Sequence, residues 1–245
     1  MLSLSLVNPH LEPSVVDEFS QAQRACYEEF SAEAAVSEVA NDDLMSGRVV
    51  YVVARDEAGA MVGGLRLHLS FPGTKLPVEH TLSQLSQLAR LLESRRQHGV
   101  AEVCGLWAYS RYRGTKLSNA LVRTAVAAAP LCETNLLIAL SHHYVVNHWA
   151  PIGFTAEPRL GVHSYPDARY FSKVILLDPV RLATSEPEHK WRILGLRQAL
   201  RMHCPIFWSP ETEEHVPIQP SERLPVSKSS EHPAAAALVQ AEHPA

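Results

Sequence analysis

Residues 102–129 read Glu102-Val-Cys-Gly-Leu-Trp-Ala-Tyr-Ser-Arg111-Tyr-Arg-Gly-Thr-Lys116-Leu-Ser-Asn-Ala-Leu-Val-Arg-Thr-Ala-Val-Ala-Ala-Ala129. The apolar start, continuous with Val100 and Ala101, predicts a buried strand ending near Ala108. The second half predicts a helix over about 116–129, closed by Pro130. Between them the loop carries Arg111, Arg113, Gly114, Thr115 and Lys116 immediately before a helix start. Free backbone N–H groups and the helix dipole make such a start attractive to phosphate. Gly114 lets the backbone approach an anion closely, and Arg111, Arg113 and Lys116 offer charge-assisted hydrogen bonds. A basic, solvated turn before an ordinary helix has the same composition, so the loop alone leaves both readings open.

Outward from this unit the chain alternates strands and helices. Upstream, residues 14–40 show helical spacing of Val15, Val16, Phe19, Ala22, Cys26, Tyr27 and Phe30, with Ser14 or Asp17 as the cap. Val49-Val-Tyr-Val-Val-Ala54 predicts a buried strand, and Asp56-Glu-Ala-Gly59 a turn into a second hairpin arm over 61–69. Gly63 and Gly64 there suggest a bulge or a close backbone neighbour. A helix is expected over 82–97, ended by Gly99. Downstream come a buried strand at 135–140, a short helix capped by Ser141, the break Pro151-Ile-Gly-Phe154, and strands near 161–165 and 170–177. Residues 188–202 predict an amphipathic helix with Trp191, Leu194, Leu196, Ala199 and Leu200 inward. From 209 on, Pro, Ser, Glu and Ala dominate and a flexible tail is expected. The fold class is α/β: one domain over 1–180, an appended helical segment over 181–208, and the tail 209–245.

Composition sets the outer limits. The 245 residues are 46% hydrophobic and 20% charged, enough apolar content for a sizeable core. A formal charge of -4 gives no electrostatic reason to expect a nucleic-acid partner. No basic leader precedes Asn8-Pro9, and no run approaches the ~18 apolar residues of a membrane span, so a cytoplasmic protein without a transmembrane segment is expected. The four cysteines, Cys26, Cys104, Cys132 and Cys204, are scattered without a CxxC pair. They read as reduced thiols, not as a disulfide frame or a metal site.

Arg111-x-x-Gly114, after an apolar strand and before an amphipathic helix, resembles the pyrophosphate-cradling motif of the GNAT superfamily of acyl-CoA-dependent N-acyltransferases. Lys116 stands where those proteins usually have a small residue. The later strand, helix and Gly153-Phe154 also resemble the superfamily, whose fold is a mixed central sheet flanked by helices. A narrower set is similar to the acyl-homoserine-lactone synthases and the long-chain N-acyl amino acid synthases. It comprises Gly63 to Arg66-Leu67, Leu76-Pro-Val-Glu79, Glu102-Val-Cys-Gly-Leu106 and Tyr165-Pro-Asp-Ala-Arg-Tyr170. Two departures mark it: Gly105 stands where the lactone synthases carry an arginine, and only Asp42 and Asp43 offer counterparts to their amino-terminal acidic pair.

The resemblance implies transfer of an acyl group, fatty in that branch, from acyl-CoA or acyl carrier protein to a small amine such as an amino acid. Nothing is bound permanently; the acyl-CoA or acyl-phosphopantetheine is a co-substrate. An acidic carrier would meet a basic rim, for which Arg90, Arg95, Arg96, Arg111 and Arg113 are available, although exposed helices carry such arginines anyway. The resemblance also implies that the thioester carbonyl rests on backbone N–H groups of Leu106, Trp107 and Ala108, where that strand splays from the one ending at Leu140. Glu102, a carboxylate in an apolar strand, is the first candidate for general base, the alternative being a strand-edge glutamate facing water. His142 and His143 follow the next strand and can assist the base or bind substrate, or serve as cap and surface residues. For the leaving thiol, relatives use a tyrosine four residues before the glycine of Gly-Phe; here that position is Trp149, and Tyr144 or His148 is left to substitute. Arg66 in mid-strand can hold Glu102 or an acceptor carboxylate, or form a structural ion pair. A short-chain N-acetyltransferase and a catalytically silent acyl-CoA-binding module remain as alternatives.

Overall fold

A computed structural model describes residues 1–33, 36, 39–209 and 215–217. All but Ser209 and that last triplet of the expected tail lies outside the described residues. The strands are β1 (Leu2–Val7), β2 (Val49–Arg55), β3 (Met61–Ser70), β4 (Val100–Ala108), β5 (Leu136–His142), β6 (Thr155–Ala156), β7 (Val162–Ser164), β8 (Phe171–Leu177), β9 (Ile206–Trp208) and β10 (His215–Pro217). The helices are α1 (Ser14–Glu28), α2 (Asn41–Met45), α3 (Pro77–Thr81), α4 (Ser86–Arg96), α5 (Leu117–Ala128), α6 (His143–Trp149) and α7 (Pro187–Arg201).

One mixed sheet runs β10-β9-β1-β2-β3-β4-β5-β8-β6, with β7 beside β8. Its pairings are antiparallel except β4 with β5, which α5 joins as a crossover. Both faces of the middle strands are covered, so β2 is apolar nearly along its length and β3 is buried along its whole length, Arg66, His68 and Ser70 included. Neighbouring glycines of β3 show the two layers. A Cβ on Gly63 would meet Leu117 and Leu121 of α5, whereas one on Gly64 would meet Phe19 of α1 at 2.7 Å. The larger core lies on the α5 side and is completed by Ile193, Leu196 and Ala199 of α7 and by Trp208 of β9. On the other face α1 packs Phe19 and Val15 on β2, and α4 packs Leu88 and Leu92 near β4 and β5. Residues 181–208 thus supply a helix and a strand to the same sheet and core. Among the described residues no helix is long and apolar enough to cross a membrane.

Several boundaries differ from expectation. The first helix stops at Glu28, and the chain turns through Ser31 (φ +50°) instead of continuing to 40. Pro13 occupies its N-cap without a side-chain cap, so neither Ser14 nor Asp17 serves. The helix expected over 82–97 is α4, which starts later at Ser86, and a separate short helix, α3, precedes it. Ser141 lies within β5 and His142 takes the N-cap of α6. Trp191 is 72% exposed rather than inward, because α7 turns Ile193, Leu196, Arg197 and Ala199 to the sheet. Strands β1 and β9 were not anticipated.

Candidate active site

The site begins with an irregularity in β4. Between the pairs Gly64–Trp107 and Arg66–Cys104, β3 advances two residues while β4 advances three. The extra residue is a bulge at Gly105 and Leu106, with Gly105 at φ +62°. The parallel ladder of β4 with β5 comprises Val100–Leu136, Ala101–Leu137 and Glu102–Ile138, so the two strands part at Glu102. Leu106 belongs to neither ladder. Side chains of α1 take up the carbonyl oxygens of the diverging end. Gln23 Nε2 donates to Gly105 O (2.9 Å), Tyr27 Oη to Leu106 O (3.0 Å) and Cys26 Sγ to Ala108 O (3.3 Å). Positions 23, 26 and 27 share one helical face, so one packed helix holds the splay open.

Two cavities flank this break. The first, about 470 Å³, is lined by Trp107 and Ala108, by Arg113, Gly114 and Lys116 of the loop, and by Ser118 and Asn119 of α5. Lys116 caps α5 in the left-handed region (φ 61°), and Gly114 (φ 78°) has open space where a Cβ would stand. Arg113 lies over the Phe30 ring (5.2 Å). Arg111 and Thr115 do not line this cavity. The Arg111 guanidinium lies over the Tyr109 and Tyr112 rings and 3.7 Å from Asp56, while Thr115 Oγ1 donates to Tyr112 O.

The second cavity, about 590 Å³, is lined among others by Arg66, His68, Glu102, Cys104, His142 and Tyr165. Glu102 is buried, so the alternative of a strand-edge residue facing water does not hold. Val78 N–H donates to its Oε2 (2.8 Å), and burial, against the pull of that bond and of Arg66, raises its carboxyl to about 8. The Leu76-Pro-Val-Glu79 segment therefore abuts Glu102 through Val78. Glu79 accepts from Leu76 N–H and pairs with Arg96. Arg96 is consequently buried, bound also to Glu93, Ser70 and Thr74, and is not available to a docking rim. The Arg66 guanidinium covers Gly105, where a Cβ would lie 2.9 Å from its Nε.

Of the remaining candidates, His142 lines the second cavity beside Tyr144 (rings 4.1 Å apart), and partial burial with the nearby His143 lowers its pKa. Tyr144 also lines it but is 57% exposed. His143 is exposed and lines neither cavity. Trp149 and Leu106 line both cavities, and His148 lines the first. Sequence reasoning missed His68 and Tyr27. His68 stands two residues beyond Arg66 and directly opposite Glu102, so strand alternation alone assigns it to their face. Burial and the charges of Arg66 and Arg48 lower it to about 3, a neutral imidazole at any ordinary pH. Tyr27, on the same α1 face as Gln23, lines both cavities.

No family model matches the chain. The uncharacterized protein Rv1356c of Mycobacterium tuberculosis (strain ATCC 25618 / H37Rv) is 25% identical over 199 residues, covering 78% of this chain and 74% of that protein. An uncharacterized protein of Mycobacterium bovis (strain ATCC BAA-935 / AF2122/97) matches to the same extent. Among solved structures, FeeM, an N-acyl amino acid synthase from uncultured soil microbes, superposes with a TM-score of 0.58 at 12% identity, covering 78% of this chain and 98% of FeeM. BjaI, a CoA-dependent acyl-homoserine lactone synthase solved with SAM and isopentyl-CoA, gives 0.55 at 18% identity, covering 83% and 89%. At these identities the likeness concerns architecture. The mixed sheet, its parallel break and the flanking helices give this chain a GNAT-like fold, similar to that of those synthases.

Proposed function

We propose that the protein is an N-acyltransferase. An acyl thioester of a phosphopantetheine arm, carried by coenzyme A or an acyl carrier protein, enters the cavity at the 111–116 loop. A small amine enters the cavity of Glu102. The observation that carries this reading is the meeting of two cavities at the gap between β4 and β5, with a buried carboxylate on one side and a cationic loop on the other. Glu102, raised toward neutrality by burial, takes the proton from the acceptor ammonium. The freed amine attacks the thioester carbonyl, whose developing oxyanion is met by the N–H of Leu106 in the bulge. The new C–N bond forms, the C–S bond breaks with its electron pair on sulfur, and the second proton leaves the nitrogen to water as the amide forms. Arg113, Gly114 and Lys116 hold the phosphates, and Arg66 beside Glu102 suits an acceptor with its own carboxylate, such as an amino acid. His142 and Tyr144 edge the acceptor side, where they can hydrogen-bond the amine.

The test is mass spectrometry of extracts from cells expressing the protein or its Glu102→Gln variant. An N-acylated amine is expected with the wild type and absent with the variant. Product from both removes Glu102 as base, and product from neither removes the enzymatic reading.

A further inference from the structure

Four residues line both cavities, namely Tyr27, Leu106, Val145 and Trp149. Acyl transfer frees a thiolate at such a junction, and charge developing on sulfur needs a donor there. Leu106 and Val145 have apolar side chains. Trp149 carries no O–H, and its ring is buried and packed on Phe154 (5.1 Å). Tyr144, the hydroxyl expected from sequence, lines the Glu102 cavity alone. Tyr27 therefore presents the one O–H among the four. Its hydroxyl rests on Leu106 O at 3.0 Å, at the bulge where the thioester is proposed to lie. The ring is carried by α1, whose Gln23 and Cys26 are anchored to the same strand end.

We propose that Tyr27 is a further catalytic residue, donating its O–H from Leu106 O to the sulfur as the thiolate departs; this rests on the acyltransferase reading above. The step balances without a proton from Tyr27. The C–S pair stays on sulfur, the ammonium's first proton is on Glu102, its second leaves the amide nitrogen to water, and the thiolate is stabilised by the phenol O–H until solvent protonates it. Burial, the dominant influence on Tyr27, raises it to about 12. A thiol titrating near ~8.5 does not remove that proton, so Tyr27 acts as a hydrogen-bond donor and not as a full acid.

Coenzyme A itself is the probe, and no acceptor is required. The thiolate absorbance of bound coenzyme A is titrated in the wild type, in Tyr27→Phe, and in protein with 3-fluorotyrosine at position 27. A hydrogen bond to a charged acceptor is worth enough to move the bound thiol by about one to two pH units. The thiol in Tyr27→Phe is expected to titrate that much higher than in the wild type. Fluorotyrosine, a stronger donor of nearly the same shape, is expected to bring it lower. Identical titration in all three proteins, with coenzyme A bound, overturns the role of Tyr27 and leaves the acyltransferase reading standing. Failure of both coenzyme A and holo-acyl carrier protein to bind the wild type in calorimetry overturns both.

Discussion

Glu102 and His68 sit opposite each other on β4 and β3, and burial drives both toward their neutral forms. Their effects on stability have opposite signs. Glu102 holds its proton in the folded state up to about 8 but releases it near 4.5 when unfolded. Its contribution is full below 4.5 and is lost as pH rises to 8. His68 stays neutral when folded down to about 3 but is protonated below 6.5 when unfolded. Its contribution is full above 6.5 and is lost as pH falls toward 3. Between 4.5 and 6.5 the two slopes cancel, and above 6.5 only Glu102 remains. The wild type should therefore lose ~2 kcal/mol relative to Glu102→Gln between pH 6.5 and 8, at about 1.36 kcal/mol per pH unit. Urea denaturation of both proteins at the two pH values checks this, and parallel curves would contradict it. Glu102 was legible because a carboxylate inside an apolar strand implies burial. His68 was legible only after Arg66 had been assigned to the same face.

The bulge in β4 is the feature on which the site depends, and it was hidden in the sequence. Residues 100–108 announce a strand, but the extra residue emerges only from the register against β3. Gly105 at first stood out merely as the absence of an arginine. In the structure its positive φ forms the bulge, and its missing Cβ makes room for Arg66 and Gln23. The ends of α1 and α3 were illegible for a related reason. No glycine or proline follows Glu28 before Gly47, and the break before α4 reflects the engagement of Val78 and Glu79 by Glu102 and Arg96, contacts remote in sequence. Gly105→Ala and Gly114→Ala separate backbone strain from crowding. Both impose a left-handed conformation on alanine, costing ~1–2 kcal/mol, but only the methyl at 105 meets neighbours, at 2.9 Å from Arg66. Thermal denaturation should show the strain loss in both and a larger total loss in Gly105→Ala, where the crowding adds to it. On the proposed function, the KM for the acceptor amine should rise about tenfold in Gly105→Ala alone, on the premise that ~1.4 kcal/mol of Arg66 binding is lost. An unchanged acceptor KM would mean that Arg66 does not contact the acceptor.

The sheet is completed by the two segments least visible to pattern reading. Leu2-Ser-Leu-Ser-Leu-Val7 alternates as an edge strand should, and in the structure β1 pairs with β2 on one side and with three-residue β9 on the other. A strand of three residues carries too little periodicity to be recognised. Its anchor, Trp208, is fully buried opposite Leu2, in the core shared by α5 and α7. No residue of β9 or α7 lines either cavity, so the molecule separates its scaffold from its chemistry. Trp208→Ala should therefore cost ~3–5 kcal/mol in chemical denaturation, the usual range for deleting a buried tryptophan. On the proposed acyltransferase function, the surviving folded protein should bind coenzyme A with unchanged affinity at temperatures well below its midpoint, because α1 and the 111–116 loop are secured by other contacts. A large stability loss with intact binding would show that residues 181–208 complete the sheet without shaping the cavities. Weakened coenzyme A binding at full folding would instead mean that the far edge of the sheet controls how widely β4 and β5 part.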